Sequence, residues 1–198
     1  SLANIADKYS ASLVRVTHAQ NFILPYVSPH QLFELFEDLK KSSFVAPVSG
    51  LLTDMVCCPG GDFCSLANAR SISIAEEINR KYDTLDKLEK IGRLDLRISG
   101  CMNSCGHHHI GHIGILGVDK DGRAYYQLLL GGHSGENDNA SLGKIIGKAF
   151  AENEITNAIG YIIECYLDNR TKGEEFRHTV KRLGAKIFAE AANKARKN

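Results

Sequence analysis

The chain has 198 residues, 43% hydrophobic and 24% charged, which allows one large domain or two small ones with a real core. Its formal net charge of +1 provides no global basic field and argues against nucleic acid as a partner. No apolar run reaches membrane-spanning length, because Glu164 breaks "AIGYIIECYL", and "SLANIADKYS" lacks the basic leader and apolar core of a secretory signal, so a cytoplasmic protein is expected.

Leu2, Ile5, Ala6 and Tyr9 share one helical face, but no start signal precedes them, as though the chain began inside an element. "SLVRVTHAQNFILPYV" predicts two strands, or one long bent strand, with Arg15 and Thr17 projecting from one face between Val14 and Val16. Ser28 as N-cap, Pro29 at the first helical position and the spacing of Leu32, Leu35, Phe36 and Leu39 predict a helix. Residues 42–53 form a connector with a domain boundary, followed by a tight loop shaped by Pro59, Gly60 and Gly61. A helix is predicted from Ser65 to about Tyr82, with Leu66, Ala69, Ile72, Ala75 and Ile78 on its buried face. "DLRIS" is a short strand, and "HIGILGV", "DKDG" and "AYYQLLLGG" spell a β-hairpin. Three amphipathic helices are expected over 141–151, 154–168 and 173–195.

Six cysteines in a chain of this kind point to ligands, reactive thiols or packing rather than disulfides. Cys58 and Cys64 have five residues between them, Cys101 and Cys105 three, and each pair sits on a glycine-containing loop. Four thiolates from two loops satisfy either a tetrahedral zinc ion or a cubane iron–sulfur cluster. Zinc knuckles take two intervening residues, so gaps of five and three suit a larger inorganic core. Taking Cys57 instead of Cys58 would lengthen the first gap to six, and Cys57 is assigned to packing. Cys165 shares an apolar helical face with Ile155, Ile159, Ile162 and Tyr166 and is assigned the same way.

"CCPGGDFCSLANA" followed by "ISGCMNSCGHHHIGHIGILG" resembles the sulfite and nitrite reductases that couple sirohaem to a [4Fe–4S] cluster. Their pattern is Cys-x5-Cys, then Cys-x3-Cys within "GC-x-N-x-C-G". The resemblance continues through "YYQLLLGGHSG" and "RTKGEEF" to "RLG", and "SLVRVTHAQNFIL" is similar to the family's ferredoxin-like segment. One departure is Met102, where the family commonly has proline. The resemblance implies an α+β fold: part of a ferredoxin-like domain over residues 1–45, then a mixed α/β 4Fe-4S and sirohaem domain over 50–198. It implies that Cys58, Cys64, Cys101 and Cys105 hold the cluster, that Cys105 also bridges to the sirohaem iron as the catalytic thiolate, and that Asn103 lies against the macrocycle. Arg15 and Thr17 face the cofactor side, where a cation would meet haem carboxylates; a solvated strand face is the competing reading.

The implied reaction is six-electron reduction of sulfite or nitrite, with electrons from a donor protein or flavoprotein subunit. The family's two-half architecture places the substrate-gripping cations in the half this chain does not contain. The chain therefore reads as a fragment of a longer reductase or as a small member completed by a homodimer. Two alternatives stand beside it: a non-catalytic [4Fe–4S] electron-transfer or binding module, and a structural zinc domain. His107, His108, His109 and His112 are read as a polar loop over the cofactor, since consecutive residues entering a strand alternate in direction and do not converge on one ion. Arg170 is expected to pair with a core carboxylate or a sirohaem carboxylate.

Overall fold

The computed structural model describes residues 1–42, 44–135 and 139–196. Ser43, within the expected connector, lies outside the described residues. The chain divides into two units, Ser1–Ser49 and Gly50–Asn198.

In the first unit, helix α1 (Leu2–Tyr9) packs on helix α2 (Leu32–Lys41), with strands β1 (Arg15–Val16) and β2 (Phe22–Ile23) between them in sequence. Ile5, Tyr9 and Leu35 form the core, extended by Leu24, Val27 and Leu39. The Tyr9 hydroxyl donates to Asp38 at 2.8 Å, and Lys8 reaches Glu34 and Asp38 from the adjacent turn. The expected second strand is a separate element, antiparallel to the first, with Arg15 opposite Ile23. Pro29–Gln31 forms a 3-10 turn before α2 begins, and of the four expected apolar positions only Leu35 is fully buried. Val16, Phe22, Ile23 and Tyr26 are all exposed, so this small sheet leaves its apolar side chains unpacked within its own unit.

The second unit is built on a six-stranded mixed sheet. Strand β3 (Val56–Cys57) leads into a one-turn helix α3 (Gly60–Phe63), then helices α4 (Ile72–Lys81) and α5 (Leu85–Ile91) and strand β4 (Leu96–Ser99). Strands β5 (Ile113–Lys120) and β6 (Arg123–Leu130) follow, then β7 (Lys144–Ile145) and β8 (Phe150–Ala151). Helices α6 (Glu152–Asn169), α7 (Phe176–Leu183) and α8 (Ala185–Asn193) close the unit. β3, β4 and β5 run parallel; β6 runs antiparallel to β5 and pairs on its other side with β7 and β8. The β5–β6 hairpin turns on Asp121 and Gly122, both with positive φ, the conformation a two-residue hairpin loop demands. On α6, Ile155, Ile159 and Ile162 are fully buried; Tyr166 meets Phe176 edge-on at 5.3 Å, and Phe176 packs against Phe188.

The mixed α/β architecture agrees with the sequence, but four features differ. The helix expected from Ser65 begins only at Ile72, because residues 66–70 wrap against the cysteine loops, leaving Leu66 71% exposed. Residues 141–151 form β7 and β8 instead of a helix, because pairing with β6 offers their backbone a ladder that an isolated amphipathic stretch lacks. The last expected helix breaks at Gly184 into α7 and α8, and α5 was not foreseen.

Candidate metal centre

Val56 stands opposite Arg97 and Cys57 opposite Ile98, so β3 and β4 end side by side. Both cysteine loops therefore leave the carboxyl end of parallel strands, where such sheets place their ligands. The Cys58 amide extends the ladder by donating to the Ile98 carbonyl at 3.0 Å. One residue past β4, the Gly100 amide donates to the Cys58 Sγ at 3.1 Å. A Cβ on Gly100 would stand 2.7 Å from the Gly60 Cα and 2.6 Å from the Ala69 carbonyl oxygen. The two loops touch backbone to backbone, and no larger residue fits between them.

The first loop is held from several sides. Cys64 donates its amide to Gly60 at 2.8 Å, closing α3, and the amides of Asn68 and Ala69 both donate to the Gly100 carbonyl. Asp62 accepts from the amides of Ser71 and Ile72 at 3.0 and 2.9 Å, and from Arg70 Nε at 2.8 Å. Burial pushes the Asp62 carboxyl up, but the Arg70 guanidinium and the two amides outweigh it and hold it below the ordinary range. Asp62 thus starts α4 from nine residues upstream, a spacing outside any local capping pattern. The sequence carried no signal for it.

The second loop coils tightly. Ser104 donates to Cys101 and His107 to Ser104, while the Gly106 amide donates to Ser99 Oγ at 3.1 Å. A Cβ at Gly106 would collide with the Ile98 carbonyl, so only glycine permits this return toward the strand. Cys58 and Cys101 are buried, Cys64 is half-buried and Cys105 is exposed. Asn103 is also exposed, and Phe63 and Met102 stand out into solvent at 84% and 81% exposure on the two loops.

Cys57 behaves as a packing thiol. Its Sγ donates to the Cys58 carbonyl at 3.2 Å, and burial, with smaller contributions from Cys58 and Asp62, pushes the thiol up to about 12. Cys165 is half-buried, and burial raises its thiol as well.

The histidines do not enter a strand directly, as the sequence suggested. His107 has positive φ, and His108–Ile110 forms a 3-10 turn that stacks the His108 and His109 rings at 3.9 Å. Ser104 Oγ lies 2.8 Å from His109 Nδ1, while burial lowers His108 to about 4. His112 turns elsewhere: its Nδ1 accepts from the Asp95 amide at 3.2 Å, and its ring packs 5.8 Å from His133. Among the described residues, Arg170 meets no carboxylate of the protein. Its guanidinium donates to the carbonyls of Lys90 and Ile91 and to the Tyr166 hydroxyl, capping the end of α5. Arg15 and Thr17 belong to the first unit. Thr17 Oγ1 accepts from the Asn21 amide at 3.0 Å, closing the turn between β1 and β2, and exposed Arg15 lies 6.0 Å from the Tyr26 ring centroid.

Among the described residues, no three His, Cys, Asp or Glu side chains converge closely enough to hold a single metal ion. The donor chemistry of the two loops fits an iron–sulfur core better: four thiols, no imidazole or carboxylate interleaved between paired cysteines except Asp62, which is committed to the α4 start. The Gly100 amide on the Cys58 sulfur is the kind of donor that stabilises a ligating thiolate and tunes such a centre.

Residues 50–198 match the family described as the nitrite and sulphite reductase 4Fe-4S domain, and residues 1–42 match the nitrite/sulfite reductase ferredoxin-like half domain. The chain is 29% identical over 192 residues to an assimilatory ferredoxin-dependent nitrite reductase of Haloferax mediterranei, covering 96% of this chain and 33% of that protein. It is 23% identical over 192 residues to an assimilatory-type sulfite reductase of Nitratidesulfovibrio vulgaris, covering 83% of that shorter protein. The NirA protein of Mycobacterium tuberculosis shares its fold, with a TM-score of 0.76 at 22% identity over 94% of this chain and 36% of that one. The chain spans only about a third of the length of the first of these relatives.

Proposed function

The chain belongs to the nitrite and sulphite reductase 4Fe-4S domain family, and we propose that it is an electron-transfer module carrying a [4Fe–4S] cluster on Cys58, Cys64, Cys101 and Cys105. The observation that carries this reading is the direct contact of the two cysteine loops, with the Gly100 amide on the Cys58 sulfur. When bound, the cluster supplies storage and transfer of single electrons. The protein's own part is to hold two loops in register at the end of β3 and β4, to aim a backbone donor at one thiolate, and to bury Cys58 and Cys101 from solvent.

A second reading, sirohaem-dependent reduction of sulfite or nitrite, is favoured by one observation. Cys105 is exposed while Cys58 and Cys101 are buried, which leaves that thiolate accessible to a second iron. In this reading Cys105 would hold the sirohaem as well as the cluster, Asn103 would contact the haem, and Arg15 and Thr17 would be supplied by the ferredoxin-like half domain. The substrate-gripping cations would come from another half or another copy, and the electrons from a donor protein.

Anaerobic reconstitution with iron and sulfide, followed by iron and acid-labile sulfide analysis, tests the first reading. Four irons and four sulfides per chain are expected. One zinc per chain with no iron would sink it in favour of a structural zinc site. Sirohaem absorption bands that require Cys105, with reduced-viologen-driven sulfite or nitrite turnover, would promote the second reading over the first.

A further inference from the structure

Ser71 opens α4, the position at which a serine hydroxyl ordinarily accepts an amide of its own helix. Among the described residues it makes no such side-chain cap bond. Asp62 does that work instead, taking the Ser71 and Ile72 amides at 3.0 and 2.9 Å. The hydroxyl is released from the helix end and turns to the cysteine loops, where Ser71 Oγ lies 3.6 Å from Cys58 Sγ, within reach of a large sulfur acceptor. Both groups are shielded, Ser71 at 0% exposure and Cys58 at 7%.

Two glycines keep the space that this hydroxyl fills. A Cβ on Gly60 would collide with Ser71 Oγ, and a Cβ on Gly100 would stand 3.0 Å from it. The Gly100 amide reaches the same sulfur at 3.1 Å, so a backbone group and a side chain converge on Cys58. In the free thiol either Ser71 or Cys58 can supply the shared proton. A sulfur bound to iron is a thiolate with no proton to give, which leaves the serine O–H as the donor of the pair.

We propose that Ser71 tunes the electron-transfer centre: its hydroxyl donates to the Cys58 thiolate and, together with the Gly100 amide, raises the reduction potential. This rests on Cys58 being a cluster ligand. Reduction adds negative charge that the ligand sulfurs share, and a fixed donor stabilises the more negative state more strongly. Burial strengthens the effect, because the low local dielectric does not screen the donor and no water replaces it.

Anaerobic reconstitution of wild type, Ser71→Ala and Ser71→Gly, followed by redox titration monitored by electron paramagnetic resonance, tests the role. Four irons and four sulfides per chain are expected in all three, since Ser71 supplies no ligand. Both variants should be harder to reduce by at least about threefold in the reduction equilibrium, a fall of roughly 30 mV for one electron. Alanine and glycine remove the same hydroxyl but pack differently, so matching falls assign the effect to the hydroxyl. A loaded variant that titrates at the wild-type potential would overturn the proposal, and loss of iron from both would replace it with a packing role. Ser73→Ala, two residues further along α4, should titrate with the wild type; an equal fall there would mark a general disturbance of the helix and overturn the proposal too. Wild-type protein that takes up no iron would remove the cluster assignment and the role of Ser71 together, whereas fully loaded variants with an unshifted potential remove the role of Ser71 alone.

Discussion

The Gly100 amide donates to the Cys58 sulfur at 3.1 Å, joining two loops whose residues lie 42 apart in sequence. That bond requires Gly100 to sit against Gly60 with no side chain between them. A methyl group at position 100 therefore has to push the loops apart. Gly100→Ala should cost about 1–3 kcal/mol in urea unfolding, the usual range for overpacking a tight contact. It should also lower iron recovered per chain after anaerobic reconstitution to below about half, because the cluster ligands come from both loops. Wild-type iron content in a destabilised Gly100→Ala protein would separate packing from ligation and count against the loop contact as the organising feature.

Five of the six cysteines should divide sharply by substitution. Cys58→Ser, Cys64→Ser and Cys101→Ser should each abolish stable iron and sulfide incorporation, since three thiolates from two loops no longer close the cage. Cys57→Ser and Cys165→Ser should retain full iron, because both thiols are occupied with packing and held protonated by burial. Metal analysis of the five variants, reconstituted side by side, decides the assignment. Iron lost on Cys57→Ser but kept on Cys58→Ser would reverse the choice between the two neighbours.

The β5–β6 hairpin was legible because alternation and a Asp121–Gly122 turn act over a few adjacent residues. The placement of the two cysteine pairs on glycine-containing loops was legible for a different reason, since spacing is a property of the chain itself. What escaped were elements set from a distance. The start of α4 depends on Asp62 reaching Ser71 and Ile72, and residues 144–145 and 150–151 become strands only because β6 is there to pair with them. Their local pattern suits a helix, and tertiary pairing overrides it. The expected core carboxylate for Arg170 is likewise absent among the described residues, and helix-end carbonyls distant in sequence take its guanidinium instead.

His112 gives the second unit an acid-sensitive point. Burial first, then His133 and Arg177, lower its imidazole to about 4, from an unfolded value near 6.5. Above about pH 6.5 the ring is neutral in both states, and its contribution to stability is fully present. As pH falls below 6.5 the unfolded chain takes up a proton that the folded chain refuses, so stability declines until the folded ring also titrates near 4. Over that window the group accounts for roughly 3 kcal/mol at most. Urea unfolding between pH 7.5 and 4.5 should show a shallower decline for His112→Gln than for wild type. Parallel pH profiles would remove His112 as the cause.

Arg170 offers a test that a cofactor-facing role and a structural role answer differently. Its guanidinium donates at 2.7 Å to the Lys90 carbonyl and at 3.2 Å to the Ile91 carbonyl, and stacks 5.1 Å from the Tyr166 ring centroid. The single Tyr166 hydroxyl proton lies within reach of the Ile91 carbonyl at 3.1 Å and the Glu174 carbonyl at 2.9 Å, so the cap ties α5, α6 and the approach to α7 together. Arg170→Gln should destabilise the protein by about 1–3 kcal/mol, because charge-assisted bonds to half-buried carbonyls are lost. Arg170→Lys should recover little of it, since an ammonium lacks the planar fork that reaches two carbonyls at once. Both variants should still take up the wild-type complement of iron and sulfide, and any sirohaem the wild type binds, with unchanged absorption. Loss of haem absorption in a stably folded Arg170→Gln protein would assign the side chain to the cofactor; an unchanged spectrum with a lowered unfolding midpoint assigns it to the helix end.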